Sequence, residues 1–259
     1  MKLISPEALE RLPGIVLRNN DTFGFRCHNA LACFNRCCRN LNLFLYPYDV
    51  VRLRRSLHMD ADRFLEEHVD VVSREGNYFP EVLLRMADNE SRTCPFLNDA
   101  GCGVYPDRPD TCRTFPVEHG MLFSNRRGHP ERVSFFRPPD FCQGRHDSQV
   151  WTLSEWAADQ EAVGYNQMTA HWASVKALFH QNPWGSDGLN GSRAKMAFMA
   201  AYNIDRFRDF VFQSSFLSRY RVKPKLVKKL RFSDRELLLF GFEWIRFIVW
   251  GIPSAVIGR

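Results

Sequence analysis

The sequence lacks the features that mark secreted, membrane-spanning and nucleotide-binding proteins. Residues 1–14 contain no apolar run of signal-peptide length, and the longest apolar stretch, residues 237–257, includes two charged residues and a proline. No G-x-G-x-x-G, Walker A, G-x-S-x-G or H-E-x-x-H motif occurs. We therefore expect a cytoplasmic protein that carries no phosphate-binding or hydrolase signature.

Cysteine is absent after residue 142, and no C-x-x-C pair occurs, so a catalytic dithiol is not expected. In a reducing compartment disulfides are rare, and clustered cysteines indicate metal ligands or redox centres. The alternative is that the thiols only pack in the core. All eight cysteines are candidate ligands: a first arm of Cys27, Cys33, Cys37 and Cys38, a second arm of Cys94, Cys102 and Cys112, and the isolated Cys142.

The short spacings within each arm suit a loop that wraps around a metal, because thiolate ligands must converge within a few ångströms. In the second arm, Cys94-Pro95 and Gly101-Cys102-Gly103 interrupt regular structure and leave backbone N–H groups to face sulfur. We expect the adjacent Cys37 and Cys38 to point in different directions. One would then bind a centre, while the other packs or serves a second centre.

The metal itself is undecided between iron and zinc. Eight thiols exceed the four that one tetrahedral zinc or one [4Fe–4S] cluster uses, so two centres, or one centre with spare thiols, both fit. An iron–sulfur cluster is favoured over Zn²⁺, because no histidine stands at zinc-finger spacing. Arg113 is a candidate cofactor-binding residue that would offset thiolate charge; the alternative is a surface arginine. His28, His119 and His146 lie near the arms but are not favoured as ligands.

The order of these motifs resembles a known family. A Cys-rich arm that ends in a Cys-Cys pair is followed by a Pro-Tyr-Asp-x-x-Arg-Leu helix and then by CPFLNDAGCGVYPDRPDTCRTFP. Residues 25–145 are similar to the YkgJ-type cysteine-cluster (CxxCxxCC) family, although x5 and x3 spacings replace x2 in the first arm. The resemblance implies a zinc- or iron-chelating domain with these cysteines as ligands. Flagellin lysine methylases resemble this family in carrying a similar cluster.

Two hypotheses for function follow. The first is an iron–sulfur protein with a redox or protein-modifying role, which implies a protein partner or substrate. The second is a structural zinc-binding interaction module without catalysis. The residues do not decide whether the chain is an enzyme.

The cysteine distribution divides the chain into a cysteine-cluster metal-binding domain, residues 1–150, and a helical C-terminal region, residues 151–259. We predict an α+β, mainly helical protein, with an irregular Cys-rich N-terminal part organised by metal and containing a small hairpin. That hairpin is predicted over residues 114–123 with its turn at 118–120, and residues 132–136 add a strand.

Helix-start signals are Pro47, Asp60, Thr152 with Glu155, and Ser233 with Glu236. Apolar periodicity extends the Asp60 helix to Val72 and predicts a further long helix over residues 194–220. Ten Phe and Trp residues between 207 and 250 mostly recur at helical spacing, which favours core packing over a membrane-surface or partner-binding helix.

Residues 217–235 hold eight Lys or Arg and one Asp, so the net charge of +6 comes from this segment. A solvated face is the favoured interpretation. The alternative is a contact with nucleic acid or an anionic membrane surface.

Overall fold

A computed structural model describes residues 2–4, 9, 11–12, 14–18, 20–122 and 131–258. It is 48% helical and 19% strand, which confirms the α+β, mainly helical class. The strands are β1 (Lys2–Ile4), β2 (Ile15–Leu17), β3 (Thr22–Gly24), β4 (Phe44–Leu45), β5 (Val69–Arg74), β6 (Asn77–Leu84), β7 (Leu97–Asn98), β8 (Gly101–Cys102), β9 (Val117–Leu122), β10 (Glu131–Phe136) and β11 (Val150–Thr152). The α-helices are α1 (Pro47–Ser56), α2 (Ala61–His68), α3 (Asp110–Thr114), α4 (Leu153–Asp159), α5 (Val163–Lys176), α6 (Ser192–Tyr202), α7 (Ile204–Gln213), α8 (Phe216–Arg219), α9 (Pro224–Phe232) and α10 (Asp234–Trp250).

The chain forms two compact units, each built from two stretches of sequence. The first unit is Met1–Leu41 with Met86–Ala170, and the second is Asn42–Arg85 with His171–Arg259. All eight cysteines belong to the first unit. The division predicted at residue 150 stays a prediction.

The first unit contains a four-stranded sheet of order β1-β9-β10-β2. The predicted strand at residues 132–136 is confirmed as β10, which pairs with β9 in antiparallel register. The predicted turn at residues 118–120 is wrong, because β9 runs through it, and residue 123 lies outside the described residues. Gly120 explains the difference: a Cβ there would stand 2.1 Å from Cδ1 of Ile4, so only glycine lets β1 lie beside β9.

An aromatic core lies next to the cysteine-bearing segments of the first unit. Phe25 and Trp156 pack edge to face with their ring centroids 5.5 Å apart. The indole N–H of Trp156 donates to the carbonyl of Thr114 at 2.9 Å, and that of Trp151 to the carbonyl of Phe25 at 2.7 Å. Cys142 is 6% exposed and belongs to this core, so the isolated cysteine has a defined position.

The second unit holds a three-stranded antiparallel sheet of order β4-β6-β5. The prediction that the Asp60 helix continues to Val72 is wrong, because α2 ends at His68 and β5 starts at Val69. The β-branched side chains of Val69, Val71 and Val72 favour an extended chain, and these residues pair with β6. The second strand of the hairpin brings the buried Phe79 to within 4.7 Å of the Phe179 ring.

The helix-start signals are confirmed. The Asp60 carboxylate accepts from the backbone N–H of Arg63 at 2.8 Å, and the Ser233 hydroxyl accepts from that of Glu236 at 3.2 Å. Thr152 accepts from the N–H of Glu155 at 3.3 Å. The single helix predicted over residues 194–220 is wrong, because the chain there forms three helices, α6, α7 and α8.

Of the ten Phe and Trp residues between 207 and 250, five are buried and four are half-buried, as core packing predicts. Phe207, Phe216 and Trp244 are at most 2% exposed. Phe232 is the exception at 83% exposed. No helix in the described ranges is both long and apolar enough to cross a membrane.

Candidate metal centre

The first arm is a run of tight turns. Backbone N–H groups donate three residues back, from Phe34 to the carbonyl of Leu31 at 2.9 Å and from Arg36 to that of Cys33 at 3.0 Å. Asn35 takes a left-handed conformation with φ of 62°, which Asn tolerates better than most residues, and a 3₁₀-helix spans Arg36–Cys38. This compact winding brings side chains separated by only a few residues close together.

The second arm is pinned directly to the first. The N–H of Cys94 donates to the carbonyl of Cys38 at 2.8 Å, and Arg39 forms an antiparallel bridge with Thr93. Cys102 lies on the small β7–β8 hairpin and Cys112 on the short helix α3. Backbone pairing therefore sets the approach of the two arms.

Cys142 joins the first arm across more than a hundred residues of sequence. The N–H of Gln143 donates to the sulfur of Cys33 at 3.3 Å. The N–H of Arg26 donates to the carbonyl of Gly144 at 3.0 Å, which holds the segment before Cys27 against the segment after Cys142. The sequence left Cys142 isolated, and this long-range contact has no local signal.

The thiols fall into two sets of four according to which sulfurs affect one another. Burial, as the largest cause, and the nearby thiols of Cys37, Cys142 and Cys33 together raise the pKa of Cys27 to about 11. We call Cys27, Cys33, Cys37 and Cys142 the first thiol group.

The second thiol group is centred on Cys38. Its pKa is raised first by a hydrogen bond with Cys37, then by burial and by the thiols of Cys37, Cys112 and Cys94. Burial also raises the pKa of Cys94, and the Cys102 thiol adds to that shift. The members of this group are Cys38, Cys94, Cys102 and Cys112.

Adjacent Cys37 and Cys38 connect the two groups. Their side chains hydrogen bond to each other, and this bond, as the largest cause, lowers the pKa of Cys37 to about 7. The expectation that one of them binds a centre while the other packs or serves a second centre stays a prediction.

Backbone N–H groups face several sulfurs, as the Pro and Gly content of the second arm predicts. Burial raises the pKa values of Cys94, Cys102 and Cys142, and backbone hydrogen bonds oppose the shift in each case. The donors lie two or three residues after each cysteine. They are Phe96 and Leu97 for Cys94, Val104 for Cys102, and Gly144 and Arg145 for Cys142.

Residues 26–149 match the family of CxxCxxCC proteins, described as a "putative zinc- or iron-chelating domain". This stretch is a CxxCxxCC domain. No curated protein and no solved structure gives a significant match to the chain. The matched stretch contains all eight cysteines. The positions of the thiols can therefore be compared with what zinc or iron chelation requires.

The donor chemistry of the CxxCxxCC domain fits a thiophilic metal, since both groups consist of thiols and several sulfurs face N–H donors. Among the described residues, no three His, Cys, Asp or Glu side chains already stand in positions to hold a metal ion together. Metal binding would therefore draw the sulfurs inward from the positions seen here. The residues fit zinc or iron by type and by grouping.

Arg113 is not a surface residue of the CxxCxxCC domain, because it is 1% exposed. Its guanidinium donates to the carbonyls of Gln160 at 2.8 Å and Pro106 at 2.6 Å, and it lies 4.2 Å from the centre of the Tyr165 ring. These contacts give Arg113 a structural role. Its predicted role in cofactor binding stays a prediction.

Arg108 is the cation near the thiols, and sequence reasoning missed it. Burial lowers its pKa, which the neighbouring thiols of Cys102 and Cys112 oppose. The guanidinium donates to the Tyr105 carbonyl at 2.7 Å and to Oε1 of Gln160 at 2.9 Å. The available signal was the RP-x-x-CR motif, which holds two arginines, but only the fold shows that the thiols affect the pKa of Arg108.

His119 is engaged away from the thiols. One ring nitrogen lies 3.0 Å from the Ser134 hydroxyl, and the other accepts from Arg132 at 2.7 Å. Burial, as the largest cause, lowers the pKa of His119 well below its usual value. This histidine is part of a partly buried polar network within the first unit.

Proposed function

We propose that this chain holds an iron–sulfur centre in its CxxCxxCC domain, with thiolates of the two thiol groups as ligands. The observation that carries the proposal is the set of contacts that joins three distant thiol-bearing stretches, from Cys94 to Cys38 and from Gln143 to Cys33. The mutual effects of the thiols on their pKa values support a division into two sets of four. Four thiolates are the ligand set of one [4Fe–4S] cluster. The same number suits one tetrahedral zinc ion.

This grouping supports two metal centres better than it supports one centre with spare thiols. Each group supplies a full set of four ligands, and the adjacent Cys37 and Cys38 belong to different groups. Binding of two metals would separate the Cys37–Cys38 hydrogen bond, because each sulfur would then bond to its own centre.

An electron-transfer or protein-modifying role is the activity we propose for the iron–sulfur form. Hydrogen bonds to sulfur and nearby charge set the reduction potential of such clusters. The N–H groups near Cys94 and Cys142 and the guanidinium of Arg108 are elements of this kind. We place the protein in the cytoplasm, where free thiols persist, with a protein as partner or substrate.

The test is purification without oxygen, followed by iron, sulfide and zinc analysis and a visible spectrum. We expect a brown protein with about eight irons per chain if both groups hold [4Fe–4S] clusters. A colourless protein with about one zinc per thiol group would refute iron and support the alternative, a structural zinc-binding interaction module. A fully folded protein with free thiols and no metal would refute both.

Two matched serine variants test the number of centres. Cys142→Ser removes a ligand from the first thiol group, and Cys112→Ser removes one from the second. We expect each variant to lose about half of the bound metal, because the other group keeps four thiols. If one variant loses all the metal and the other loses none, a single centre with spare thiols is present.

A further inference from the structure

A groove in the second unit lies within the basic segment of residues 217–235. Its volume is about 750 Å³, and it lies between helix α9 and the residues 217–222, which end helix α8 and continue beyond it. No carboxylate is among its lining residues, whereas four cations are. These cations are Arg219, Arg221, Lys228 and Arg231.

The groove cations are not neutralised by the protein. In the described part of the chain, Arg219, Arg221 and Lys228 take part in no ion pair. Arg231 lies 4.4 Å from the centre of the Phe212 ring, a contact that leaves its charge in place. Four uncompensated positive charges in one concavity attract an anionic ligand.

The walls of this basic groove are held by the core of the second unit. Arg221 exchanges two backbone hydrogen bonds with Gly258, at 2.9 and 3.0 Å. The Tyr220 ring packs edge to face on Trp244 with centroids 5.0 Å apart. These contacts fix the backbone of this wall, so binding would need little ordering of it.

The far end of α9 is also anchored. Arg208 donates to the carbonyls of Leu230 at 2.6 Å and Arg231 at 2.8 Å, and it pairs with Asp234. Leu230 itself is fully buried. The helix that carries Lys228 and Arg231 therefore keeps a defined position relative to the opposite wall.

Phe232 stands one residue beyond the groove and is 83% exposed. It follows Lys228 by four positions and Lys225 by seven, so these side chains share one helix face. An exposed ring beside a positively charged groove is the arrangement that binds single-stranded nucleic acids, where phosphates meet cations and bases stack on aromatic rings.

The concave shape selects among anionic partners. A membrane presents a flat array of headgroups and a duplex presents its phosphates on a convex surface, whereas a single strand enters a groove. We propose that the basic groove binds single-stranded nucleic acid, with phosphates on Arg219 and Lys228 and a base stacked on Phe232. All residues of this site belong to the second unit, whereas all eight cysteines belong to the first.

The experiment measures binding of the full-length protein to a fluorescein-labelled 12-nucleotide single strand, as DNA and as RNA, by fluorescence anisotropy. A duplex of the same length, polyglutamate and phosphatidylserine vesicles serve as competitors. We expect the unlabelled single strand to compete best, and affinity to fall as salt is raised.

Three variants test the assignment. Arg219→Gln with Lys228→Gln removes one cation from each wall and should weaken binding at least tenfold. It should also reduce the slope of log K against log salt by about 1.4, or 0.7 for each lost contact. Phe232→Ala should weaken binding about tenfold through lost stacking. Lys195→Gln, which removes an exposed cation on α6, is the control and should bind like the wild type.

Failure to bind the single strand at low salt would overturn the proposal. So would stronger competition by vesicles, by the duplex or by polyglutamate, which would assign the groove to that partner instead. Equal losses in the Lys195→Gln control would show that net charge, and not this groove, drives binding.

Discussion

Gly144 provides a sharp test of how the first thiol group is assembled, because replacing it changes no ligand. A Cβ at this position would stand 2.5 Å from the backbone oxygen of Arg26 and 3.1 Å from the Phe25 ring. Reaching even a 3.0 Å separation from that oxygen requires a shift of about 0.5 Å between the segments that carry Cys27 and Cys142. That shift equals the tolerance within which ligands must be positioned.

We therefore expect Gly144→Ala to lower the free energy of unfolding by about 1–3 kcal/mol, as overpacking in a core does. If the free energy of metal binding falls by a similar amount, the metal affinity falls about tenfold for each 1.4 kcal/mol lost. The assays are urea denaturation of the metal-free and metal-loaded protein, and competition for the metal with a chelator.

Gly164→Ala is the matched control. Gly164 lies on α5, and its Cβ would meet no atom within 4 Å. The alanine should leave stability unchanged or raise it by up to about 1 kcal/mol through helix propensity, with no effect on metal affinity. Wild-type stability and metal affinity in Gly144→Ala would refute the close approach that we describe.

Three further predictions concern other parts of the molecule. Arg108→Met removes the positive charge near Cys102 and Cys112 and should lower the reduction potential of an iron centre, measured by redox titration; an unchanged potential would contradict that placement. His119→Gln should flatten the acid dependence of stability. The folded pKa of His119 lies below the unfolded value of about 6.5, so the unfolded state binds more protons in acid. Below pH 6.5 the stability of the wild type therefore falls relative to that of the variant, by at most about 1.4 kcal/mol per pH unit. Parallel pH profiles in urea titrations would refute this role. Gly241→Ala would place a Cβ 2.5 Å from the carbonyl oxygen of Ala200 and should destabilise the second unit by about 1–3 kcal/mol in urea denaturation; wild-type stability would exclude the close helix contact.

Local signals predicted several elements correctly. Asp60, Thr152 and Ser233 each start a helix, because a side-chain oxygen satisfies a backbone N–H only a few residues ahead. Signals based on apolar periodicity failed at residues 69–72, where the same valines suit a strand once β6 is present to pair with them.

The candidate site was likewise predictable from the sequence only in part. The ordered second arm, Cys94 to Cys112, identified a metal-chelating domain from sequence. The roles of Arg108 and Arg113 were not predictable, because both stand in one short motif and both guanidinium groups donate to backbone carbonyls. They differ in that the thiols of Cys102 and Cys112 affect the pKa of Arg108.

The sequence by itself determined the chemistry: seven thiols in two arms with an isolated eighth, a cysteine-free C-terminal region and one basic segment. These are properties of residue type and short spacing, which act through local geometry. Only the tertiary structure decided which thiols stand together, since the contact of Gln143 with Cys33 spans the unit and depends on packing around Phe25 and Trp156. It likewise turned a run of basic residues into a groove, because concavity arises when α9 and the chain before it are fixed against the core.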